Sequence, residues 1–369
     1  MQVGQDTAQS TMTAAVPTDS PAVLLAERLG AWWADREGVT EVAVTPAGRP
    51  AVGASNETWL FDIAWRTPAG SRAEQWVLRL APAEASLFPR YDLAREYRTL
   101  AALQGAALQV PVPRRYEPDA AVLGRPFFVM GRLAGRVIQE NPLYHLEGWF
   151  HDLPPALQGA HWEAVIDGLA RLHRVDWSAR GLEFLDAPSG MARARHQLEG
   201  LRAHLHWVES LSRPYPVLHD ALDWLEAHLP VEGPVALCWG DAKLGNCLFD
   251  AASGALVAAL DWEMPWIGEP VSDLAWLMVL DRALSIGYGV PRLPGLPSRE
   301  HSVARWVAAS GHSAANLDFH ERLAATRFAI IMARAGYLYM EKGWLPRESE
   351  MDVRNGGMAV LLELFGGKP

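Results

Sequence analysis

The segment CWGDAKLGNCLFD gathers Asp241, Lys243 and Asn246 between two short runs of strand-forming residues, and Asp261 follows at the end of a third run in ALDWE. An ionised carboxylate in an apolar frame costs several kcal/mol unless a cation or hydrogen bonds compensate it. Acids at the mouth of a strand pair therefore need an electrostatic partner. Mg²⁺ fits, because it takes hard oxygen ligands from one or two carboxylates or carbonyls together with substrate phosphates, and Asn246 and Asp261 offer those donors. Lys243 is suited to neutralise charge on a phosphoryl group in transit, and Asp241 to orient an attacking hydroxyl and accept its proton. The bland alternative is turn chemistry, since Asp and Asn favour loops and helix caps whatever the function.

These side chains need a frame. Val23, Leu24, Leu25, Leu29, Trp32 and Trp33 fall at helical spacing, so the period predicts a helix over 21–37. Strand signals at 42–44, 58–65 and 75–80, separated by the turn-rich PAGRPAVGASN and PAGSR, predict a small antiparallel sheet. Residues 93–103 return to helical period, and PFFVMGRL (126–133) reads as a final strand. After about Gly135 the pattern is mainly helical, clearest at 162–175, 192–211, 218–229, 270–280 and 321–342. Short β runs at 235–239, 247–249 and 255–260 interrupt it and carry the polar residues above. No internal repeat is evident.

Composition narrows the function classes. The 369 residues are half hydrophobic, enough for about two ordinary domains. A net charge of −10 with interspersed signs gives no electrostatic reason to bind nucleic acid or an anionic membrane, so a small molecule or a protein is the expected partner. The first twenty residues lack the basic region and apolar core of a signal peptide and read as a disordered tail, 1–20. The best apolar run, 274–280, is short and flanked by Asp273 and Asp281, too little to span a bilayer. Cys238 and Cys247, the only two cysteines, sit in one apolar segment and suit buried thiols in a reducing cytoplasm. The histidines, including His145, His151, His204 and His206, show no ligand spacing with cysteines or paired acids, and none is expected to hold a metal. The sixteen tryptophans read mostly as packing residues, an aromatic cation cage being the alternative.

Asp241 and Asn246 keep the Asp-x-x-x-x-Asn interval of a kinase catalytic loop, with Asp261 in the place of the downstream metal-binding acid. WGDAKLGNCLFD and LDWEMPWIGEPVSDLAW resemble the catalytic and metal-binding loops of the aminoglycoside phosphotransferase and choline kinase superfamily. Across nearly the whole chain, VLRLAP, REYRTL, FFVMGRLAGRVI and DWLEAHLP are similar to the branch found fused to acyl-CoA dehydrogenases and in bacterial stand-alone proteins. The resemblance implies an α+β, bilobal protein-kinase-like fold. Its small antiparallel-sheet N-lobe (21–133) would bind nucleotide, and its mainly helical C-lobe (134–369) would carry the catalytic loop and acceptor site. It also implies an enzyme that uses ATP and Mg²⁺ to phosphorylate a hydroxyl of a small molecule, a hydroxyacyl-CoA or related alcohol being favoured by the branch.

Carried over residue by residue, the resemblance makes Asp241 the base with Lys243 beside it, Asn246 and Asp261 the metal ligands with Glu263 a further candidate, and Asp273 a structural acid behind the loop. It puts Arg79 where most kinases have the phosphate-contacting Lys, Glu96 as its ion-pair partner, Ser55 and Asn56 on the loop over the phosphates, and Met130 and Leu133 on the nucleotide side. An ordinary surface ion pair is the rival reading of Arg79 and Glu96. Three departures stand out: Arg79 itself, Trp239 where the family usually has His before Gly-Asp, and Glu269 where the branch usually has Asp. The competing functions are an aminoglycoside kinase, for which Glu140, Asp152, Glu163 and Asp167 offer scattered acids, and a nucleotide-binding pseudokinase. A protein kinase is a weaker rival, since Asp-Phe-Gly followed by Ala-Pro-Glu is missing.

Overall fold

Hydrophobic alternation builds the first sheet. Along β2 (Glu57–Thr67), Phe61 and Ile63 are buried while Asp62 and Ala64 are exposed, the two-residue period of a half-covered strand. It pairs antiparallel with β3 (Gly70–Leu80) in unbroken register, from Glu57 opposite Leu80 to Thr67 opposite Gly70. β1 (Thr40–Gly48) extends one side, and β5 (Phe127–Gly131) and β4 (Pro113–Glu117) the other, in the order β1-β2-β3-β5-β4. This computed structural model describes residues 21–49, 57–84, 86–250 and 253–367.

Helix α1 (Pro21–Ala34) covers one face of the sheet, packing Ala26, Leu29, Trp32 and Trp33 against Phe61, Ile63, Trp76 and Phe127. Trp33 meets Trp76 edge-on with ring centres 4.5 Å apart. Alternate residues of β5 point opposite ways, so Phe127 and Val129 join that cluster while Phe128 joins the larger core with Leu93 and Leu100 of α2 (Leu93–Ala102). The single-turn α3 (Ala120–Leu123) links β4 to β5.

The larger core belongs to the helical lobe. There α4 (Pro155–Leu172), α5 (Arg193–Leu211), α6 (Pro216–Ala227), α7 (Val271–Leu284), α8 (Arg299–Ser310), α9 (Leu317–Glu341) and α10 (Gly356–Leu364) surround Leu169, Leu198, Leu222, Leu277, Trp306 and Ile330. Two small sheets are set among them: β6 (Arg136–Val137), β8 (Cys247–Phe249) and β9 (Leu256–Ala259) in the order β6-β8-β9, and β7 (Ala236–Cys238) antiparallel to β10 (Trp266–Gly268). The fold is therefore bilobal and α+β, with a small antiparallel sheet above a helical lobe.

Several elements differ from the sequence expectation. β4, with sequence PRRYE, lies at a sheet edge, where proline and charge are tolerated and the apolar alternation is lost. α4 begins at Pro155 rather than near Trp162, because proline is well placed at a helix start. α7 runs on through Asp281, whose buried carboxylate accepts from Tyr144 Oη at 2.8 Å and is paired with Arg292 and His145. α8 and α10 and the short β6 and β10 were not anticipated. Ser55 and Asn56 lie outside the described residues.

Candidate active site

Two loops carry the candidate residues, and one buried acid holds the first. Asp273, in the first turn of α7 and 1% exposed, accepts from the backbone N–H of Trp239 at 2.7 Å and of Gly240 at 2.8 Å. His173 Nε2 approaches the same carboxylate at 3.1 Å. Trp306 Nε1 donates to His173 Nδ1 at 3.0 Å, so the proton of the neutral ring is on Nε2 and points at Asp273. Three donors thus compensate the buried charge and fix the backbone that leads into Asp241. Gly240 has φ 84°, and a Cβ there would sit 1.9 Å from the Met264 carbonyl oxygen, so only glycine lets the two loops touch.

Asp241 is held from both sides. Asn246 Nδ2 donates to Oδ2 at 2.7 Å, and Trp276 Nε1, from α7, donates to Oδ1 at 2.8 Å. Burial raises the Asp241 pKa above the ordinary carboxylate range; Lys243 opposes this, while Asp261 and Glu140 add to it. Lys243 Nζ contacts Glu140 Oε2 at 2.8 Å. Burial works against the Lys243 charge, but Glu140 and Asp241 more than restore it.

The second loop turns at Asp261, whose φ of 56° puts a non-glycine residue in the left-handed region that Asp tolerates better than most. The Trp239 indole secures that turn, donating to the carbonyls of Leu260 at 3.0 Å and Asp261 at 3.3 Å. The departure at Trp239 therefore ties the Asp241 loop to the Asp261 loop. The departure at Glu269 braces a different place: its carboxylate accepts from Gly233 N at 3.0 Å and Asn316 Nδ2 at 2.7 Å, and meets His320 Nε2 at 3.0 Å.

Arg79 links the lobes. On β3, its Nη2 lies 2.7 Å from Asp261 Oδ1 and 3.1 Å from Glu96 Oε1 of α2. Arg79 is 7% and Glu96 2% exposed, which corrects the surface ion-pair reading. Burial pushes the Glu96 carboxyl upward, with the Arg79 guanidinium opposing it. Neighbouring Arg95 donates to the Pro265 carbonyl, so α2 holds the Asp261 loop directly as well as through Arg79.

A cavity of about 320 Å³ lies between the lobes. Leu60, Val77, Leu100, Met130, Leu133 and Leu260 give it an apolar lining, and Arg79, Glu96, Asn246 and Asp261 a charged and polar one. Glu263 instead lines a separate cavity of about 100 Å³ with Phe88, Tyr91 and Glu96. The hard oxygen donors of Asn246 and Asp261 fit Mg²⁺ on the cavity wall. Sequence reasoning missed Glu140, His173 and Trp276 as members of this network, since no local spacing connects them to the loops they touch. It missed Arg327 too, which is half-buried, donates to Gln197 Oε1 at 2.6 Å and lies over the Trp276 ring.

The model of the phosphotransferase enzyme family matches residues 48–321, about three quarters of the chain. Among curated relatives, a probable acyl-CoA dehydrogenase, IBR3, of Arabidopsis thaliana is 26% identical over 310 residues, covering 79% of this chain and 36% of the relative. Acyl-CoA dehydrogenase family member 11 of Homo sapiens is 27% identical over 256 residues, covering 68% of this chain and 29% of the relative. The chain thus spans about a third of the length of these relatives, in line with the resemblance to a branch fused to acyl-CoA dehydrogenases. Among solved structures, a putative aminoglycoside phosphotransferase of Ralstonia eutropha superposes with a TM-score of 0.67 at 23% identity, over 93% of this chain and 99% of that one. An ethanolamine kinase of Plasmodium vivax gives 0.51 at 13% identity, over 87% and 81%. At these identities the likeness is one of fold.

Proposed function

For a chain that belongs to the phosphotransferase enzyme family, we infer an ATP- and Mg²⁺-dependent kinase that phosphorylates the hydroxyl of a small molecule. The observation that carries this reading is one cleft between the lobes lined by Arg79, Asn246 and Asp261, with Asn246 bonded to Asp241 behind it. The apolar lining suits a nucleobase, and the polar lining suits phosphates. Asn246 donates its amide N–H to Asp241, which leaves its amide oxygen, with the Asp261 carboxylate, to hold Mg²⁺. When bound, Mg²⁺ supplies charge neutralisation on the phosphate oxygens.

The remaining roles belong to the chain. Asp241 orients the acceptor hydroxyl and takes its proton as the oxygen bonds to the terminal phosphorus and the bond to the leaving diphosphate breaks. Trp276 and Asn246 fix the direction of that carboxylate. Lys243 and Arg79 offset negative charge on the transferring group.

A hydroxylated acyl-CoA or related alcohol is the favoured acceptor, supported by the acyl-CoA dehydrogenase names of the relatives. A polycationic aminoglycoside fits less well, because three of the four acids offered for it already have Lys or Arg partners. Glu140 is bound to Lys243, and Asp167 and Glu163 to Arg305. A cytoplasmic setting accords with the two free, buried cysteines. The test is a screen of purified protein for phosphate transfer from ATP to hydroxyacyl-CoAs, amino alcohols and aminoglycosides. Transfer to hydroxyacyl-CoA supports the reading, transfer to aminoglycosides alone moves the acceptor class, and nucleotide binding without transfer supports the pseudokinase.

A further inference from the structure

Away from the cleft, the end of α5 and the start of α6 bring together three side chains whose chemistry has no use in phosphoryl transfer. His206 and Glu209 are one helical turn apart on α5, on one face. His219, in the first turns of α6, places Nε2 3.0 Å from each Glu209 carboxylate oxygen. The rings of His206 and His219 lie 5.6 Å apart, and one ligand atom from each of the three residues falls within 4.8 Å of the others. We propose that His206, Glu209 and His219 form a binding site for a transition-metal dication of the Zn²⁺ type.

Two imidazoles and a carboxylate are a donor set for Zn²⁺, Co²⁺ or Ni²⁺, whereas Mg²⁺ demands oxygen ligands. Tetrahedral Zn²⁺ with bonds of about 2.0–2.1 Å needs ligand atoms roughly 3.3 Å apart. Glu209 and His219 already stand near that spacing. His206 is exposed, so rotation of its side chain closes the remaining gap without moving the helix. Glu209 is also pre-oriented, because the Tyr215 backbone N–H donates to its Oε1 at 2.8 Å, the kind of outer contact that aims a metal ligand. Three protein ligands leave one position for water.

Sequence spacing hid the site because His219 comes from another helix. The consequence is mechanical: the metal would clamp α5 to α6 across the 212–215 connection. α5 also carries His204, bonded to the Leu87 carbonyl of the segment between β3 and α2, and Gln197, bonded to Arg327 near the base loop. The site stands whether or not the kinase reading does.

Calorimetric titration of EDTA-treated, dialysed protein with ZnCl₂, in excess MgCl₂ to occupy the cleft, tests it. One Zn²⁺ per chain is expected, with the affinity falling by more than about 10-fold in His206→Ala and in His219→Ala. Co²⁺ should give a tetrahedral visible absorption band in the wild type that both variants lose. His206→Ala removes an exposed side chain and keeps the fold, so a folding defect in His219→Ala leaves the test intact. Absence of stoichiometric binding, or equal affinity in wild type and His206→Ala, overturns the proposal.

Discussion

Asp273→Asn removes one charge and little volume, so it isolates what the buried carboxylate does. The native oxygens accept from Trp239 N, Gly240 N and His173 Nε2. An asparagine offers one acceptor oxygen and an NH₂ group, so at least one of these donors faces another donor. A hydrogen bond to a charged group is worth about 1.5–3 kcal/mol, and breaking a buried charged network about 3–5 kcal/mol. If the whole chain unfolds as one unit, an unfolding entropy of about 2 cal/mol/K per residue converts that loss to a fall in Tm of roughly 4–6 °C. The activity should fall further than the stability. The freed backbone is the pair of residues before Asp241, and a misplacement of about 1 Å in a reacting group costs on the order of 10²-fold in rate. Scanning calorimetry and steady-state kinetics should therefore show a lowered Tm, a kcat reduced about 100-fold and a smaller change in the KM for ATP. Wild-type kcat with a Tm shifted by less than about 1 °C would refute the argument that Asp273 sets the base loop.

Asp261→Ala should weaken Mg·ATP binding by calorimetry, since Arg79 then loses its 2.7 Å partner and the cavity wall loses a carboxylate oxygen proposed to hold Mg²⁺; an unchanged affinity would remove Asp261 from the site. In the Arg79 series, activity should fall in the order wild type, Lys, Ala. Arg79→Ala should also cost about 3–5 kcal/mol, moderated because the buried Glu96 carboxyl is already shifted toward protonation, whereas a loss below about 1 kcal/mol with an unaltered ATP KM would exclude both roles. A pH profile follows from Asp241: the base acts when deprotonated, and burial raises its pKa, so kcat/KM should fall with decreasing pH above the range of a free carboxylate. Lys243 opposes that rise, so Lys243→Met should move the acidic limb to still higher pH, and a limb that stays put or moves down would contradict the assignment.

What the sequence made legible was local. Asp241 and Asn246 sit on one loop, so their spacing alone brings the two side chains together, and the runs around 58–65 and 75–80 announce the β2–β3 hairpin by alternation. Contacts between distant segments were not legible, because tertiary packing makes them. Lys243 finds Glu140 across 103 positions, and Arg79 finds Asp261 across 182. Glu263, which the resemblance offers as a further metal candidate, lies just past the Asp261 turn and lines the neighbouring cavity, a placement that depends on the turn and not on spacing. Tryptophans read as packing were half understood: Trp162 and Trp306 are buried as expected, yet Trp239 and Trp276 also aim indole N–H groups at the Asp261 turn and at Asp241.

Asp241 is proposed to accept the proton of an attacking hydroxyl. Its most direct test is single-turnover transfer of labelled phosphate from ATP to the acceptor found by screening, comparing wild type with Asp241→Asn under matched Mg·ATP saturation. The amide keeps the shape and can still accept from Trp276, but it cannot take a proton, and its NH₂ meets the Asn246 amide N–H as donor against donor. A proton-accepting Asp241 requires transfer to fall by on the order of 10²-fold or more, a much larger change than in Mg·ATP affinity or Tm. Transfer at the wild-type rate in Asp241→Asn would contradict it.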